Sequence, residues 1–253
     1  MNTKKRTFTK GEKNVIRIMV VVSILAIGIF AWRWYSNDYY RAETLAKRAM
    51  KGTAEIEVVQ EENYFVFRDK EEQSKKGIVF YPGGKVEETA YAPLLLEFAE
   101  RGYEVYLVQM PAKLAILDLN AAEDILQKAE HIQEWTMMGH SLGGAMAASF
   151  TANHEEEIDN LVLLAAYSTE NLRDTDIEVF SFYGTEDKVL NMEKYELYYS
   201  NLPEDVIEEV IEGANHANYG DYGAQEGDGE ATITREEQRE CVLDIFMSAQ
   251  EKE

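Results

Sequence analysis

Cysteine is almost missing from this chain: Cys241 stands alone. One thiol excludes an internal disulfide framework and a cysteine-rich zinc site, and on the final helix it reads as a small apolar residue. Histidine is nearly as scarce, with four in 253 residues, which leaves little room for a histidine-built metal centre. Basic residues are outnumbered by acidic ones, 25 to 47, for a formal charge of −22. The imbalance is uneven. Residues 1–35 hold Lys4, Lys5, Arg6, Lys10, Lys13, Arg17 and Arg33 against Glu12 alone, so that segment carries +6 and the remainder −28. An acidic body of that size repels nucleic acid and other polyanions, so no nucleic-acid partner is expected. Internal repeats and long linkers are absent as well, and the length suits one globular domain with a real core.

One long apolar run is present. Between Arg17 and Arg33 lie fifteen uncharged, mostly apolar residues, extended by Val15 and Ile16. A membrane-spanning helix needs about 17–25 such residues, its flanking arginines can snorkel, and Trp32, Trp34 and Tyr35 suit an interfacial belt. Small residues for a cleavage site are wanting around Trp32, and the run has no polar face to suit a core helix. Residues 1–35 are therefore expected to be a basic tail and uncleaved signal anchor. Basic charge before the span is expected to keep the N-terminus cytoplasmic and the acidic body outside, and a disulfide-free body there is compatible with a bacterial cell membrane. Residues 36–53 read as a polar helical stalk.

From residue 54 onward strands and helices alternate. "AEIEVV" and "YFVFRD" suit an antiparallel pair. "KGIVFY", "YEVYLVQM", "EWTMMGH", "IDNLVLLAA", "IEVFSFYG" and "DVIEEVIEG" read as strands of a mostly parallel sheet. Helices are expected at 90–102, 120–132, 142–154 and 235–250, covering both faces of an α/β fold. Only about ten residues, "YSTENLRDTD", separate the fourth and fifth parallel strands, too few for an inserted lid.

Gly139-His140-Ser141-Leu142-Gly143 matches G-x-S-x-G where a strand runs into a helix. Such a turn holds the serine in a strained conformation with its hydroxyl raised above the strand end; a plain helix cap is the bland alternative. A serine nucleophile needs a base and a group to orient that base. His131 and His154 lie near helix ends and read as surface residues, and His140 is expected to point away from the nucleophile. His216, directly after the last strand, remains as the base. Asp187, in the turn after "FYG", is the expected acid, with Glu186, Asp174 and Asp176 as weaker candidates. The order Ser, Asp, His is that of an α/β-hydrolase.

"FYPGGKV", "GHSLGG", "FYGTEDKV" and "GANHANYGDYGAQEGDG" carry a resemblance to the α/β-hydrolases over about residues 54–250. More narrowly, the chain resembles a lidless, often membrane-anchored bacterial group related to dienelactone hydrolases. The resemblance implies Ser141 as nucleophile, Asp187 as acid and His216 as base, in a catalytic domain over 54–253. Its expected activity is hydrolysis of a small carboxylic ester or thioester without a cofactor. The same residues could serve an acyltransferase or a peptidase, and a body that lost turnover would be a tethered binding module. The H-G-G loop of lipases is replaced by Tyr81-Pro82-Gly83-Gly84-Lys85. A backbone N–H from Gly84 or Lys85 is expected to join that of Leu142 in an oxyanion hole. The loop 219–230, with Asp221, Glu226, Asp228 and Glu230, lacks the spacing of an EF-hand and reads as a border of the site rather than a metal centre; Tyr219 and Tyr222 would shape the pocket.

Overall fold

The computed structural model describes residues 9–251; Lys4, Lys5 and Arg6 of the basic tail lie outside them. The chain divides into two compact units, Met1–Asp38 and Tyr39–Glu253. The first is built on α1 (Lys10–Asn37), opened by a capping box in which Thr9 and Glu12 satisfy each other's backbone N–H groups. Its 28 residues extend for about 42 Å, enough to cross a hydrocarbon core of about 30 Å. The helix is long and apolar enough to span a membrane, and none of its apolar stretch is buried.

The second unit carries an eight-stranded sheet in the order β1-β2-β4-β3-β5-β6-β7-β8. The strands are β1 (Ile56–Gln60), β2 (Tyr64–Asp69), β3 (Lys76–Tyr81), β4 (Glu104–Val108), β5 (Glu134–His140), β6 (Asn160–Leu164), β7 (Glu178–Gly184) and β8 (Ile207–Ile211). β1 and β2 run antiparallel to their neighbours, and β3 to β8 are parallel. Strand periodicity sorts the core into two layers. Ile78 and Phe80 of β3 face a cluster with Leu94, Phe98, Phe180 and Phe246, while Val79 and Tyr81 face another with Ala147, Ala148, Phe150 and Leu161. The first layer is covered by α2 (Thr44–Ala49), α3 (Ala92–Glu100) and α7 (Arg235–Gln250), and the second by α4 (Glu123–Lys128) and α5 (Leu142–Asn153).

Three elements differ from the expectation. The segment expected as a stalk over 36–53 is part of the second unit from Tyr39 onward. Ala42, Ala46 and Ala49 are buried, Tyr40 N–H bonds to Lys85 O at 2.8 Å, and Ala46 N–H bonds to the Asp221 carboxylate at 2.8 Å. Methyl groups three or four residues apart are a narrow apolar stripe, easily masked by the charged residues between them. The helix expected over 120–132 shrinks to α4, because the Tyr81 hydroxyl takes the N–H of Ala122 at 3.0 Å and Ala129 leaves helical geometry. A helix absent from the expectation, α6 (Met192–Tyr199), is capped by Asn191 Oδ1 and buries only Tyr195. Residues 165–177, between β6 and β7, form turns and no helix, so no lid is inserted there.

Candidate active site

β5 ends at His140 and α5 begins at Leu142, so Ser141 alone makes the turn. Its backbone is at φ 52°, ψ −121°, and its side chain makes no capping hydrogen bond. A non-glycine residue at positive φ is strained unless its surroundings hold it. Here the Ser141 N–H is held by Leu164 O at 2.9 Å, and Ala145 N–H returns to Ser141 O at 3.1 Å. Close approach requires the flanking glycines: a Cβ on Gly139 would lie 2.6 Å from the Gly143 carbonyl, and one on Gly143 would collide with the carbonyl oxygen of Tyr81. The hydroxyl is thereby freed from a helix-capping role.

His216 sits in the loop after β8 and is buried, as is Asp187 after β7. His216 Nδ1 and Asp187 Oδ2 are 2.8 Å apart. A carboxylate only accepts, so Nδ1 carries the proton and donates it, and Nε2 keeps its lone pair. Nε2 is buried and has no hydrogen-bond partner among the described residues. Asp187 Oδ1 accepts the N–H groups of Val189 and Leu190, both at 2.8 Å, which fixes the carboxylate's plane. Asp174 and Asp176 are exposed, and Glu186 makes no bond to His216. Ser141 and His216 line one cavity of about 250 Å³, walled by Leu142, Ala145, Ala165, Ala166, Tyr167 and Val189–Asn191.

The two candidates of the Pro-Gly-Gly loop part company. Lys85 N–H donates to Lys113 O at 2.8 Å and is not available to a substrate, which corrects its proposed part in an oxyanion hole. Gly84 N–H makes no hydrogen bond among the described residues, and a Cβ on Gly84 would stand 3.1 Å from Leu142 Cδ2. Gly84 and Leu142 are thus neighbours, and Leu142 N–H is among the unsatisfied donors of the first turn of α5.

Other expectations are revised. Tyr219 and Tyr222 belong to the buried core and do not line the cavity. His131 and His154 are half-buried rather than freely solvated. His131 Nε2 lies 3.0 Å from Glu104, and His154 stacks on Phe150 at 3.9 Å. His140 does turn inward, but onto the base: its ring centroid is 4.5 Å from that of His216. Burial, then the like charge that a proton on either ring would meet in the other, pushes His140 well below the ordinary imidazole range, against the opposing pull of the His216 backbone. In the acidic loop, Asp221 is taken by Arg235 and Ala46 N–H, Asp228 by backbone N–H groups, and Glu226 and Glu230 are exposed. No three His, Cys, Asp or Glu side chains converge on a metal-sized point among the described residues.

No curated protein matches the chain in sequence. Among solved structures, a predicted CIB-like hydrolase from Thermoplasma acidophilum superposes with TM-score 0.58 at 18% identity, over 76% of this chain and 98% of that one. MGS-M1, an alpha/beta hydrolase enzyme from a Medee basin deep-sea metagenome library, gives TM-score 0.50 at 18% identity, over 66% and 86%. At such identity the likeness is one of fold. The model of the alpha/beta hydrolase family matches residues 77–240, a span that holds β4 to β8, the Ser141 turn, Asp187 and His216. The chain belongs to the alpha/beta hydrolase family.

Proposed function

We propose that this hydrolase uses Ser141, His216 and Asp187 as a catalytic triad to cleave a small carboxylic ester or thioester, while α1 anchors it in a membrane. One observation carries the reading: a serine held at positive φ, capping nothing, shares a cavity with a histidine whose Nδ1 is engaged by a buried carboxylate. His216 Nε2 takes the Ser141 proton as Oγ attacks the carbonyl, and Asp187 stabilises the imidazolium that results. The N–H groups of Leu142 and Gly84 receive the charge that develops on the carbonyl oxygen. His216 returns the proton to the leaving alcohol or thiol. Water, activated by the same nitrogen, then releases the acid and regenerates Ser141. The basic segment before α1 favours a cytoplasmic N-terminus and an extracytoplasmic catalytic unit.

The decisive experiment treats the full-length protein with a fluorophosphonate probe and maps the adduct. Labelling at Ser141, together with turnover of p-nitrophenyl butyrate, supports the reading. Turnover with an unlabelled Ser141 overturns it.

A further inference from the structure

Tyr91 ends the short helical turn Glu88–Tyr91 that leads into α3, and it is fully buried. Its hydroxyl oxygen accepts the N–H of Gly83 at 3.1 Å and lies 2.8 Å from His140 Nδ1. The buried Oη proton finds its acceptor in His140 Nδ1, an arrangement that puts the His140 proton on Nε2, which has no hydrogen-bond partner among the described residues. Gly83 completes the fit, since a Cβ there would be 2.7 Å from both Tyr91 Oη and His140 Nδ1. The far face of His140 meets the ring of His216, and Tyr219 packs 5.5 Å away on the same imidazole.

One buried chain of hydrogen bonds therefore joins the loop after β3 to the end of β5, one residue before Ser141. We propose that Tyr91 and His140 are positioning residues: they hold the Gly83-Gly84 peptide beside Leu142 and brace the ring of His216. Gly83 is pinned through its N–H by Tyr91, and its carbonyl accepts Val86 N–H at 3.3 Å. Carbonyl and N–H of a trans peptide point in opposite directions, so fixing the Gly83 carbonyl aims the Gly84 N–H. His140 suits the other half of the task because a neutral ring adds no like charge beside the imidazolium formed on His216. This inference rests on the triad reading given above.

The test compares Tyr91→Phe, His140→Asn, His140→Leu and Tyr91→Phe/His140→Leu in the full-length protein, with p-nitrophenyl butyrate and a trifluoromethyl ketone that mimics the oxyanion. Asn Oδ1 falls near the place of Nδ1 and keeps an acceptor for Tyr91; Leu fills the space without one. Tyr91→Phe and His140→Leu should each lower kcat by about ten- to a hundredfold with KM within about twofold, as expected for a misplaced reacting geometry. Ketone affinity should fall by a factor similar to kcat. His140→Asn, which keeps the acceptor for Tyr91 but not the ring against His216, should lie between wild type and His140→Leu, and the double variant should be no worse than His140→Leu, because the two residues act as one unit. Packing alone predicts the reverse order, with Leu better than Asn. Kinetics of Tyr91→Phe within about threefold of wild type, Leu equal to or above Asn, or multiplicative losses in the double variant would overturn the proposal. If His140→Leu does not fold, the near-isosteric Tyr91→Phe decides by itself. Wild-type protein that hydrolyses the ester with Ser141 unlabelled removes the triad reading; labelled wild type with unaffected variants removes only the positioning role.

Discussion

The carboxylate of Asp228 reaches across the site to the backbone of His216, whose N–H it accepts at 3.3 Å. The same side chain accepts Ala217 N–H at 2.9 Å and, from the loop that follows Asp187, Lys188 N–H at 3.3 Å. One aspartate thus fastens the base loop to the acid loop. Asp228→Ala should leave those N–H groups without their acceptor, at about 1–3 kcal/mol for any that stays buried, and loosen the His216–Asp187 geometry. The expected result is a kcat lower by about ten- to a hundredfold and a depressed unfolding temperature. Asp228→Asn keeps one acceptor oxygen and should fall between that variant and wild type. Ester kinetics and thermal unfolding of both variants check this.

Removing the reacting groups should be far more severe. Ser141→Ala and His216→Ala are each expected to lower kcat by about 10³-fold or more while the protein stays folded. Asp187→Asn should also be strongly impaired, since an amide offers the imidazolium no charge and can present the wrong tautomer to Nδ1. Circular dichroism alongside ester turnover separates lost chemistry from lost structure. Activity of Ser141→Ala above about a tenth of wild type would reject the nucleophile assignment.

The triad candidates were legible in the sequence because each follows a strand rich in β-branched or aromatic residues, and the strands "FYG" and "EWTMMGH" announce their own ends. What surrounds them was not. Tyr91 lies in an apolar helical stretch and reads as core, and its role comes from Gly83 and His140, which are distant in the chain. His140 follows the alternation of β5, facing the same layer as Met138 with Tyr91 and Tyr219, but that His216 comes to lie against its ring is a contact between distant loops that no local pattern shows. Lys85 could not be separated from Gly84 by sequence, because Lys113, which takes its N–H, belongs to a separate loop after β4. α6 is hidden in the sequence for a different reason: "MEKYELYY" buries one side chain and has no apolar face, though Asn191 with Glu193 in the first turn is a start signal.

His140 makes stability depend on pH. Its folded pKa lies well below 6.5, chiefly through burial. In the unfolded chain an ordinary imidazole binds a proton below about pH 6.5. Between that pH and the folded value the unfolded state holds more protons, so stability falls as pH drops, by up to about 1.4 kcal/mol per pH unit. Above about pH 6.5 neither state is protonated at this site and the dependence vanishes. Urea unfolding of wild type and His140→Asn from about pH 7.5 to about pH 5 should show a shallower acid decline in the variant. Parallel declines would mean that His140 titrates alike in both states.

The boundary at Tyr39 can be tested by truncation. Deleting 1–38 removes α1 and leaves the second unit whole, so the product should be soluble and active, whereas the full chain should sediment with membranes. Extending the deletion through residue 53 also removes buried Ala42, Ala46 and Ala49 and the bridge between Tyr40 and Val86. Loss of more than about 3 kcal/mol is expected, lowering the unfolding temperature by about 6 °C or more. Equal stability of the two truncations would return residues 39–53 to the role of a stalk. In spheroplasts of cells carrying the full chain, external protease should digest the acidic unit; protection would reverse the proposed topology.

Substrate size should follow from the walls of the cavity. At about 250 Å³ it lies below the usual range of about 300–1,000 Å³ for small-molecule sites. Ala145, Ala165 and Ala166 form part of the wall beside Ser141, and Val189, Leu190 and Tyr167 line it with larger side chains. No helix between β6 and β7 supplies a cover under which a long chain could be buried. Each buried CH₂ contributes about 0.8 kcal/mol, so kcat/KM should rise by roughly fourfold per carbon while the chain still enters the cavity, then level off. Acetyl to butyryl p-nitrophenyl esters should show the rise, and octanoyl and palmitoyl esters no further gain. Leu190→Ala removes bulk from the wall and should move the optimum toward longer chains, with acetyl ester turnover little changed. A clear palmitoyl preference in wild type, or an optimum that stays fixed in Leu190→Ala, would mean that chain length is read by a surface other than this cavity.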